Sequence, residues 1–169
     1  MILPTTILAV LGLTRPQSEG YVKVNSSDWA RHPVFAYNIG SNPEDYVIFA
    51  KLVLKFRDVV ADMRAQGISI AESASSPLNG LNTIADIVAA CKRTTFPFAT
   101  NWHDVGTVRM GVNSTVGATN SRGHVFDIQG LIIGDNSLMP LGHPGHASAS
   151  GARDVGAVVA QMIIDDYNL

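Results

Sequence analysis

Residues 101–111 read Asn-Trp-His-Asp-Val-Gly-Thr-Val-Arg-Met-Gly, and they open the stretch that decides how this chain folds. An apolar segment, Gly130-Leu-Ile-Ile-Gly-Asp135, follows, and Met-Pro-Leu-Gly-His-Pro-Gly-His closes the stretch at 139–146. His103 and His146 stand at its two ends, in loops interrupted by glycine, where functional side chains concentrate. We expect the buried strand between these loops to help bring the two imidazoles together.

The composition is that of a folded globular chain. Of the 169 residues, 46% are hydrophobic and 15% are charged, which argues against disorder and supports one core or parts of two. The net charge is −2 and no basic block occurs, so we expect no nucleic-acid partner. No apolar run reaches the roughly 18–20 residues of a membrane helix, and the single cysteine, Cys91, excludes a disulfide framework.

Three short strands are predicted near the start of the chain. The apolar N-terminus lacks a positively charged leader and a cleavage site, so we expect a strand at 5–13 and not a signal peptide. Alternation of side chains predicts a strand at 20–24, and 34–38 is expected to form another. The compartment in which the protein works does not follow from these features.

Two helices are predicted between residues 42 and 92. Asn42-Pro43-Glu44-Asp45 supplies a cap, a first-turn proline and acids at the positive helix end, and Gly67 ends this helix. Its apolar residues recur every three or four positions, which predicts a face packed in the core. They are Phe49, Leu52, Val53, Phe56, Val59, Val60 and Met63. The second helix is expected at 84–92, capped by Asn82 or Thr83.

The last third of the chain predicts a strand pair and a terminal helix. Residues 124–126 and 131–133 are apolar and flank the turn Asp127-Ile-Gln-Gly130, which is typical of paired strands. Residues 147–165 begin with small side chains and continue with apolar residues at helical spacing, which predicts a helix.

Histidine is the residue type most open to several interpretations here. His32 and His124 fit ordinary structural positions, whereas His103, His143 and His146 lie in loops. The last three could form a metal-binding group, but no cysteine lies nearby and their spacing matches no standard zinc pattern. We therefore assign no metal ligands and keep a His-based metal module as an alternative.

The order of these pieces resembles the C-terminal signature of the glucose-methanol-choline (GMC) oxidoreductases, flavin enzymes that oxidise alcohols. The signature reads Asn-x-His-x-Val-Gly-Thr…Met-Gly, then Arg-x-x-Val-Phe, Gly-Leu-x-Ile-x-Asp-x-Ser-x-Met-Pro, and a histidine before a helix. Residues 101–165 match closely and residues 7–60 more loosely. The resemblance implies an α+β fold, mainly an antiparallel sheet with packed helices of the GMC substrate-domain type. A C-terminal strand–loop–helix would complete an FAD-binding α/β domain.

The resemblance also implies a domain division and a set of site residues. Residues 1–100 would be the substrate-binding region, and 101–169 would hold the active-site motif and the last segment of the FAD-binding domain. His103 matches the catalytic base of the family, and His146 matches its second active-site position. The remaining matches are cofactor contacts: Trp102, His103 and Ala147 against the isoalloxazine ring, and Asp135 and Asn136 at the ribityl–phosphate portion.

Alcohol oxidation suits two such histidines. The hydroxyl proton must leave as hydride passes from carbon to flavin N5, and imidazole, with an ordinary pKa near 6.5, can accept that proton at neutral pH. A second polar group can position the hydroxyl oxygen. A helix beginning just after His146 would direct its positive end toward the reduced flavin.

One family motif has no counterpart in this chain. Gly-x-Gly-x-x-Gly, which binds the FAD pyrophosphate at a helix start, does not occur in the 169 residues. We therefore expect little FAD binding by the chain alone and an N-terminal FAD-binding portion as partner. The resemblance itself implies a small-molecule alcohol as substrate. Two further alternatives stay open, namely a catalytically inactive fragment and a redox-neutral lyase of the same fold.

Overall fold

The computed structural model of the chain describes residues 9–93, 98, 103–140 and 148–169. These residues form an α+β structure with three α-helices, one 3₁₀ helix and a two-stranded antiparallel sheet. They divide into two compact units. The helical unit contains the described residues before Thr14 and those from Ile39 to Arg93. The C-terminal unit contains Thr14–Asn38 and the described residues from Phe98 to Leu169.

Helix α1 spans Glu44–Ala65 and confirms the first predicted helix. The side-chain Oδ1 of Asn42 accepts a hydrogen bond from the Glu44 backbone N–H at 3.0 Å, so asparagine satisfies a donor at the helix start as predicted. The predicted apolar face is only partly packed, because Val53 is buried whereas Val59 is 47% exposed. The expectation that the whole stripe is core is therefore wrong at Val59.

Helix α2 spans Ile84–Cys91 and packs against α1 within the helical unit. Thr83 caps it, because its Oγ1 accepts a hydrogen bond from the Asp86 backbone N–H at 3.1 Å. Ile87 is fully buried, and burial raises the pKa of the buried Cys91 thiol. A thiol with a raised pKa stays protonated at neutral pH, which fits a packing role for Cys91.

Arg57 on α1 fastens the loop that leads to α2. Its guanidinium pairs with the Glu72 carboxylate at 2.9 Å and donates to the backbone carbonyl of Leu78 at 2.7 Å and to that of Leu81. Only 21% of the Arg57 side chain is exposed, so these acceptors compensate a half-buried charge. One side chain therefore organises a loop that has no regular secondary structure.

Strands β1 (Tyr21–Lys23) and β2 (Val34–Ala36) form the sheet, with Val22 opposite Phe35. Both lie inside the strands predicted at 20–24 and 34–38. Gly20 permits the close approach of the chains, because a Cβ there would lie 2.0 Å from the Ala36 carbonyl oxygen. The strand predicted at 5–13 is not formed by residues 9–13, and residues 5–8 lie outside the described part of the chain.

The predicted strand pair at 124–126 and 131–133 is reduced to isolated bridges. His124 bridges Ile132, and the Val125 N–H donates to the Leu131 carbonyl at 3.0 Å. Asp127 and Gly130 in the intervening turn have positive φ angles of 61° and 76°. The turn was predicted correctly, but the segments on either side are too irregular for a continuous ladder.

Helix α3 spans Ser148–Tyr167 and confirms the predicted terminal helix, with its end two residues beyond the predicted 165. In the part of the chain that the structure describes, no helix is both long and apolar enough to cross a membrane.

Candidate active site

The segment that begins at His103 and the segment that begins at Asp135 lie side by side in the C-terminal unit. The segment that follows His103 donates three backbone hydrogen bonds to the segment that follows Asp135. Gly106 N–H donates to the Asn136 carbonyl at 3.3 Å, Val108 to Ser137 at 3.0 Å and Met110 to Leu138 at 2.9 Å. The structure therefore joins 106–110 to 136–138, although the paired residues lie 28 to 30 positions apart along the chain.

A short 3₁₀ helix at Asn136–Leu138 presents the carbonyls that accept these bonds. Asp135 begins it, because its Oδ1 accepts a hydrogen bond from the Ser137 N–H at 2.7 Å. Leu138 is 1% exposed and anchors the turn in the core of the unit. One apolar side chain and one carboxylate thus fix the second motif locally.

Gly106 is needed where the two motifs approach. Its φ is +78°, a region that favours glycine, and a Cβ there would lie 3.0 Å from the Met139 carbonyl oxygen. The glycine of the Val-Gly-Thr motif therefore allows close backbone contact three residues after His103.

The predicted site residues are only partly within the described chain. His103 and Asp135 are exposed, and the Asn136 side-chain Oδ1 is buried. Trp102, His146 and Ala147 lie outside the described residues, as does His143. The meeting of the imidazoles of His103 and His146 therefore stays a prediction, as do the proposed flavin contacts.

Helix α3 packs closely against Gly134, which directly precedes the motif that begins at Asp135. A Cβ on Gly156 would lie 3.5 Å from the Gly134 carbonyl oxygen, and a Cβ on Gly134 would lie 3.5 Å from Val159. The helix begins at Ser148, two residues after His146. Its N-terminal end therefore directly follows the second motif in sequence, as predicted from the small residues after His146.

An apolar cavity of about 240 Å³ lies along α3 in the same unit. Its described lining is mostly aliphatic or thioether, with Ser121 and Asp154 as the polar members. The lining residues are Met110, Ser121, Leu138, Asp154, Val155, Val158, Val159 and Met162. Of the predicted site residues that the structure describes, His103, Asp135 and Asn136, none is among them.

A polar depression of about 360 Å³ adjoins the first motif. Gly106, Thr107 and Arg109 line one side of it, and residues 114–118 line the other. Arg109 Nη1 pairs with Glu19 Oε1 at 2.9 Å. Because this carboxylate already balances the guanidinium, the depression offers no uncompensated arginine to an anionic ligand.

An ion-pair cluster that the sequence did not predict lies at the end of α3. The Arg122 guanidinium makes a two-pronged contact with Asp166, from Nε at 3.0 Å and from Nη2 at 2.6 Å, and His124 Nε2 lies 3.5 Å from the same carboxylate. The hydrogen bond from Arg122 is the main cause that lowers the pKa of Asp166, with a smaller contribution from His124. No local sequence signal links residues 44 positions apart.

The described residues are compatible with a flavin nucleotide at this edge. Asp135 offers an exposed carboxylate, which can accept hydrogen bonds from the hydroxyl groups of a ribityl chain. Gly106 and Gly134 keep the backbone near it free of bulk. Among the described residues, no group of three or more His, Cys, Asp or Glu side chains could hold a metal ion, and two of the three histidines of the metal alternative lie outside them.

Comparison with known proteins assigns this geometry to a class. A sequence profile described as GMC oxidoreductase matches residues 16–152. The chain therefore belongs to the GMC oxidoreductase family. It is 25% identical over 156 residues to an oxygen-dependent choline dehydrogenase of Escherichia coli and 26% identical over 158 residues to that of Cronobacter sakazakii. Each match covers 90% of this chain and 26% of the relative, so the chain spans about a quarter of the length of these relatives.

Solved structures agree with this assignment. A fungal aryl-alcohol oxidase is similar with a TM-score of 0.72 and 26% identity over 93% of this chain and 25% of that one. An FAD-dependent oxidoreductase from Chaetomium thermophilum is similar with a TM-score of 0.75 and 25% identity over 92% of this chain and 26% of its own. A formate oxidase of Aspergillus oryzae, at 23% identity and a TM-score of 0.75, shares the fold.

Proposed function

We propose that this chain supplies the substrate-side part of an FAD-dependent oxidoreductase that oxidises an alcohol. The observation that carries the proposal is the backbone pairing of 106–110 with 136–138, which joins the segment after His103 to the segment that leads to His146. Two histidine-bearing loops whose adjoining segments are hydrogen-bonded to each other are suited to act on one small substrate.

The residues have distinct roles in this proposal. His103 accepts the hydroxyl proton of the alcohol, and His146 holds the hydroxyl oxygen in position. Trp102 and Ala147 lie against the flavin ring, and Asp135 and Asn136 bind the ribityl–phosphate portion. The exposure of His103 and Asp135 supports these roles, because both side chains are accessible to a ligand.

FAD, when bound, supplies the acceptor for the hydride that leaves the alcohol carbon. The chain contributes proton removal, orientation and a helix terminus. Helix α3 begins two residues after His146, so its unpaired N–H groups and positive end would favour negative charge close to the second histidine. The relatives are described as a dehydrogenase and as oxidases, which favours oxidation over a redox-neutral lyase reaction.

A substitution of the proposed base tests this function. In an assembly that contains the chain and bound FAD, we expect His103→Ala to lower alcohol turnover roughly 10²-fold or more, as for loss of a general base. His32→Ala is the control, because His32 is an exposed loop histidine of the same unit and has no proposed role.

The measurement is the rate of flavin reduction by a panel of primary and aromatic alcohols, at equal FAD content for each variant. Equal rates for the wild type and His103→Ala would remove His103 from the role of base. A comparable loss in His32→Ala would show that the defect comes from folding and not from catalysis.

A further inference from the structure

Two tripeptides of the chain match the pattern Asn-x-Ser/Thr, at which an oligosaccharide can be joined to asparagine. They are Asn25-Ser26-Ser27 and Asn113-Ser114-Thr115, and the middle position of each is serine, where proline would exclude the reaction. The alcohol oxidation proposed above uses neither tripeptide. Because the pattern alone occurs in many proteins that are not modified, the local structure at each asparagine is what distinguishes them.

The second tripeptide lies on a loop that faces solvent. Each residue from 112 to 116 is exposed, and the loop is closed on itself where the Gly117 N–H donates to the Asn113 carbonyl at 3.1 Å. An attached glycan is bulky and hydrated, so the fold tolerates it only where no packed group has to move. Asn113 meets this condition, because its side chain and those on both sides of it are exposed.

The fold uses only one of the two polar atoms of the Asn113 amide. Its Oδ1 accepts hydrogen bonds from the Thr115 backbone N–H at 3.0 Å and from the Thr115 hydroxyl at 2.5 Å. Among the hydrogen bonds of the described residues, none is donated by Nδ2, the atom to which a sugar is attached. A sugar on Nδ2 therefore leaves both bonds of the turn intact, since Oδ1 stays an acceptor in the glycosylated amide.

The same two bonds hold the threonine hydroxyl against the side chain that would react. The nitrogen of a carboxamide is a weak nucleophile, because its lone pair is delocalised into the carbonyl group, and the acceptor pattern requires a hydroxyl two residues later. At Asn113 this hydroxyl already contacts the amide. The two residues are only two positions apart, so the turn depends on no distant contact and can form in a chain that has not yet folded.

Asn25 lacks this arrangement, although it is exposed as well. Within the part of the chain that the structure describes, no hydrogen bond joins Asn25 to Ser27, and the Ser26 hydroxyl accepts from the Asp28 backbone N–H at 3.1 Å. The first tripeptide also ends in serine, whereas the second ends in threonine. Asn25 is therefore an internal comparison that has the pattern and the exposure but not the preformed turn.

We propose that Asn113, in preference to Asn25, is an N-glycosylation site, modified when the chain enters a compartment that holds a lipid-linked oligosaccharide. In this donor the anomeric carbon of an N-acetylglucosamine is joined to a polyprenyl diphosphate. The bond from that carbon to the diphosphate oxygen breaks, a bond from the carbon to Asn113 Nδ2 forms, and Nδ2 loses one proton. No electron is transferred, so the reaction is independent of flavin and of the proposed function.

The experiment expresses the full chain in eukaryotic cells behind a cleavable secretion leader. Electrophoretic mobility is compared before and after treatment with a peptide-N-glycosidase, which releases the glycan and converts its asparagine to aspartate. Mass spectrometry then locates the new aspartate. Whole-cell extracts are analysed together with the medium, so a variant that folds poorly and is retained in the cell still shows whether it was modified.

Four variants separate the acceptor atom from the turn. Asn113→Asp removes Nδ2 but keeps an oxygen that can accept both Thr115 hydrogen bonds. Asn25→Asp is the matched control at the first tripeptide. Thr115→Ser keeps the hydroxyl two residues after Asn113, whereas Thr115→Val keeps the branched shape of threonine and loses the hydroxyl.

We expect one glycan on the wild type, at residue 113. The mobility shift should persist in Asn25→Asp and Thr115→Ser and should disappear in Asn113→Asp and Thr115→Val. A wild type without a shift, equal occupancy of residues 25 and 113, or a shift that is lost only in Asn25→Asp would overturn the proposal. So would a glycan that remains on Asn113 in Thr115→Val, because the hydroxyl held by the turn would then have no part in the reaction.

Discussion

Gly111 and Gly117 stand where two loop segments of the C-terminal unit cross. A Cβ on Gly117 would lie 2.4 Å from the Gly111 backbone nitrogen, and a Cβ on Gly111 would lie 2.6 Å from the Gly117 nitrogen. Real side chains do not approach backbone so closely, so neither position accepts alanine without a shift of the chain. The glycine that ends the Met-Gly motif is therefore required by packing, independently of any contact with a ligand.

We expect Gly117→Ala to destabilise the chain by roughly 1–3 kcal/mol, the usual cost of overpacking. Urea unfolding followed by circular dichroism measures this change. Gly134→Ala is the control, because its Cβ would meet Val159 at 3.5 Å, an ordinary contact. A Gly117→Ala variant as stable as Gly134→Ala would show that the crossing is looser than the structure indicates.

The Asp166 carboxylate at the end of α3 should make the stability of the fold depend on pH. The hydrogen bond from Arg122 holds the pKa of Asp166 below its usual value. A carboxyl whose pKa is lowered on folding stabilises the fold above its unfolded pKa, near 4, and this contribution is lost as the pH falls through the folded value.

Asp166→Asn should therefore lower the Tm at pH 7, and the difference from the wild type should shrink steadily below about pH 4. Thermal melts between pH 7 and pH 2.5 measure this difference in Tm. Asp165→Asn serves as the control, because Asp165 lies next to Asp166 but, among the described residues, accepts from Gln161 and not from Arg122. A difference that stays constant over this range would contradict the role of Arg122.

Single residues show which parts of the site the sequence could predict. Asp135 and Gly106 were recognised as motif positions, and the structure gives each a local task, a turn cap and a close backbone approach. The Arg122–Asp166 contact could not be foreseen, because the partners lie 44 residues apart and the motif that contains Arg122 does not extend to Asp166. Long-range pairs of exposed charges leave no periodic signal in a sequence.

Secondary-structure elements were predictable to the extent that their signals are local. Helix α1 begins after the Asn42–Pro43 cap, and α2 begins after Thr83, because capping side chains and helical spacing act over one or two turns. The pair 124–126 and 131–133 was overestimated as strands. Its bridges depend on residues such as Thr119 elsewhere in the chain, and β-pairing reflects such context more than propensity.

Helix α3 provides a prediction at the scale of elements. Gly156 lies inside this helix, where glycine costs about 1 kcal/mol relative to alanine. A Cβ at Gly156 would contact the Gly134 carbonyl oxygen at 3.5 Å, so the added methyl group fits without displacement. We expect Gly156→Ala to stabilise the chain by roughly 0.5–1 kcal/mol.

Thermal melting detects this change as a rise in Tm of a few degrees. Gly123→Ala is a contrasting variant, because its φ is +80° and its Cβ would lie 2.5 Å from the Ile133 carbonyl oxygen, so it should destabilise. A loss of stability in Gly156→Ala would mean that α3 packs on residue 134 more tightly than an ordinary contact.

At the scale of the whole molecule, the compact units do not follow the order of the sequence. Residues 14–38 belong with the C-terminal unit, although about 60 residues of the helical unit intervene. Composition and hydrophobic periodicity describe short stretches of sequence, so they do not indicate that two stretches distant in the chain pack into one unit. The division of function between residues 1–100 and 101–169 therefore stays a prediction.

The whole chain also predicts how tightly FAD is held. A glycine-rich turn and helix start receive the pyrophosphate of a bound dinucleotide, and no Gly-x-Gly-x-x-Gly occurs in the 169 residues. Asp135 can contribute hydrogen bonds to the ribityl portion, but it cannot replace that phosphate site. We therefore expect the purified chain to bind FAD at least a hundredfold more weakly than the assembly with a flavin-bearing portion, a difference of about 2.7 kcal/mol.

Fluorescence titration of FAD into each sample measures both affinities. Asp135→Asn should weaken binding in the assembly, while it leaves the negligible binding of the chain alone unchanged. A stoichiometric flavin absorbance spectrum in the purified chain would overturn this expectation, because the residues present would then suffice to hold the cofactor.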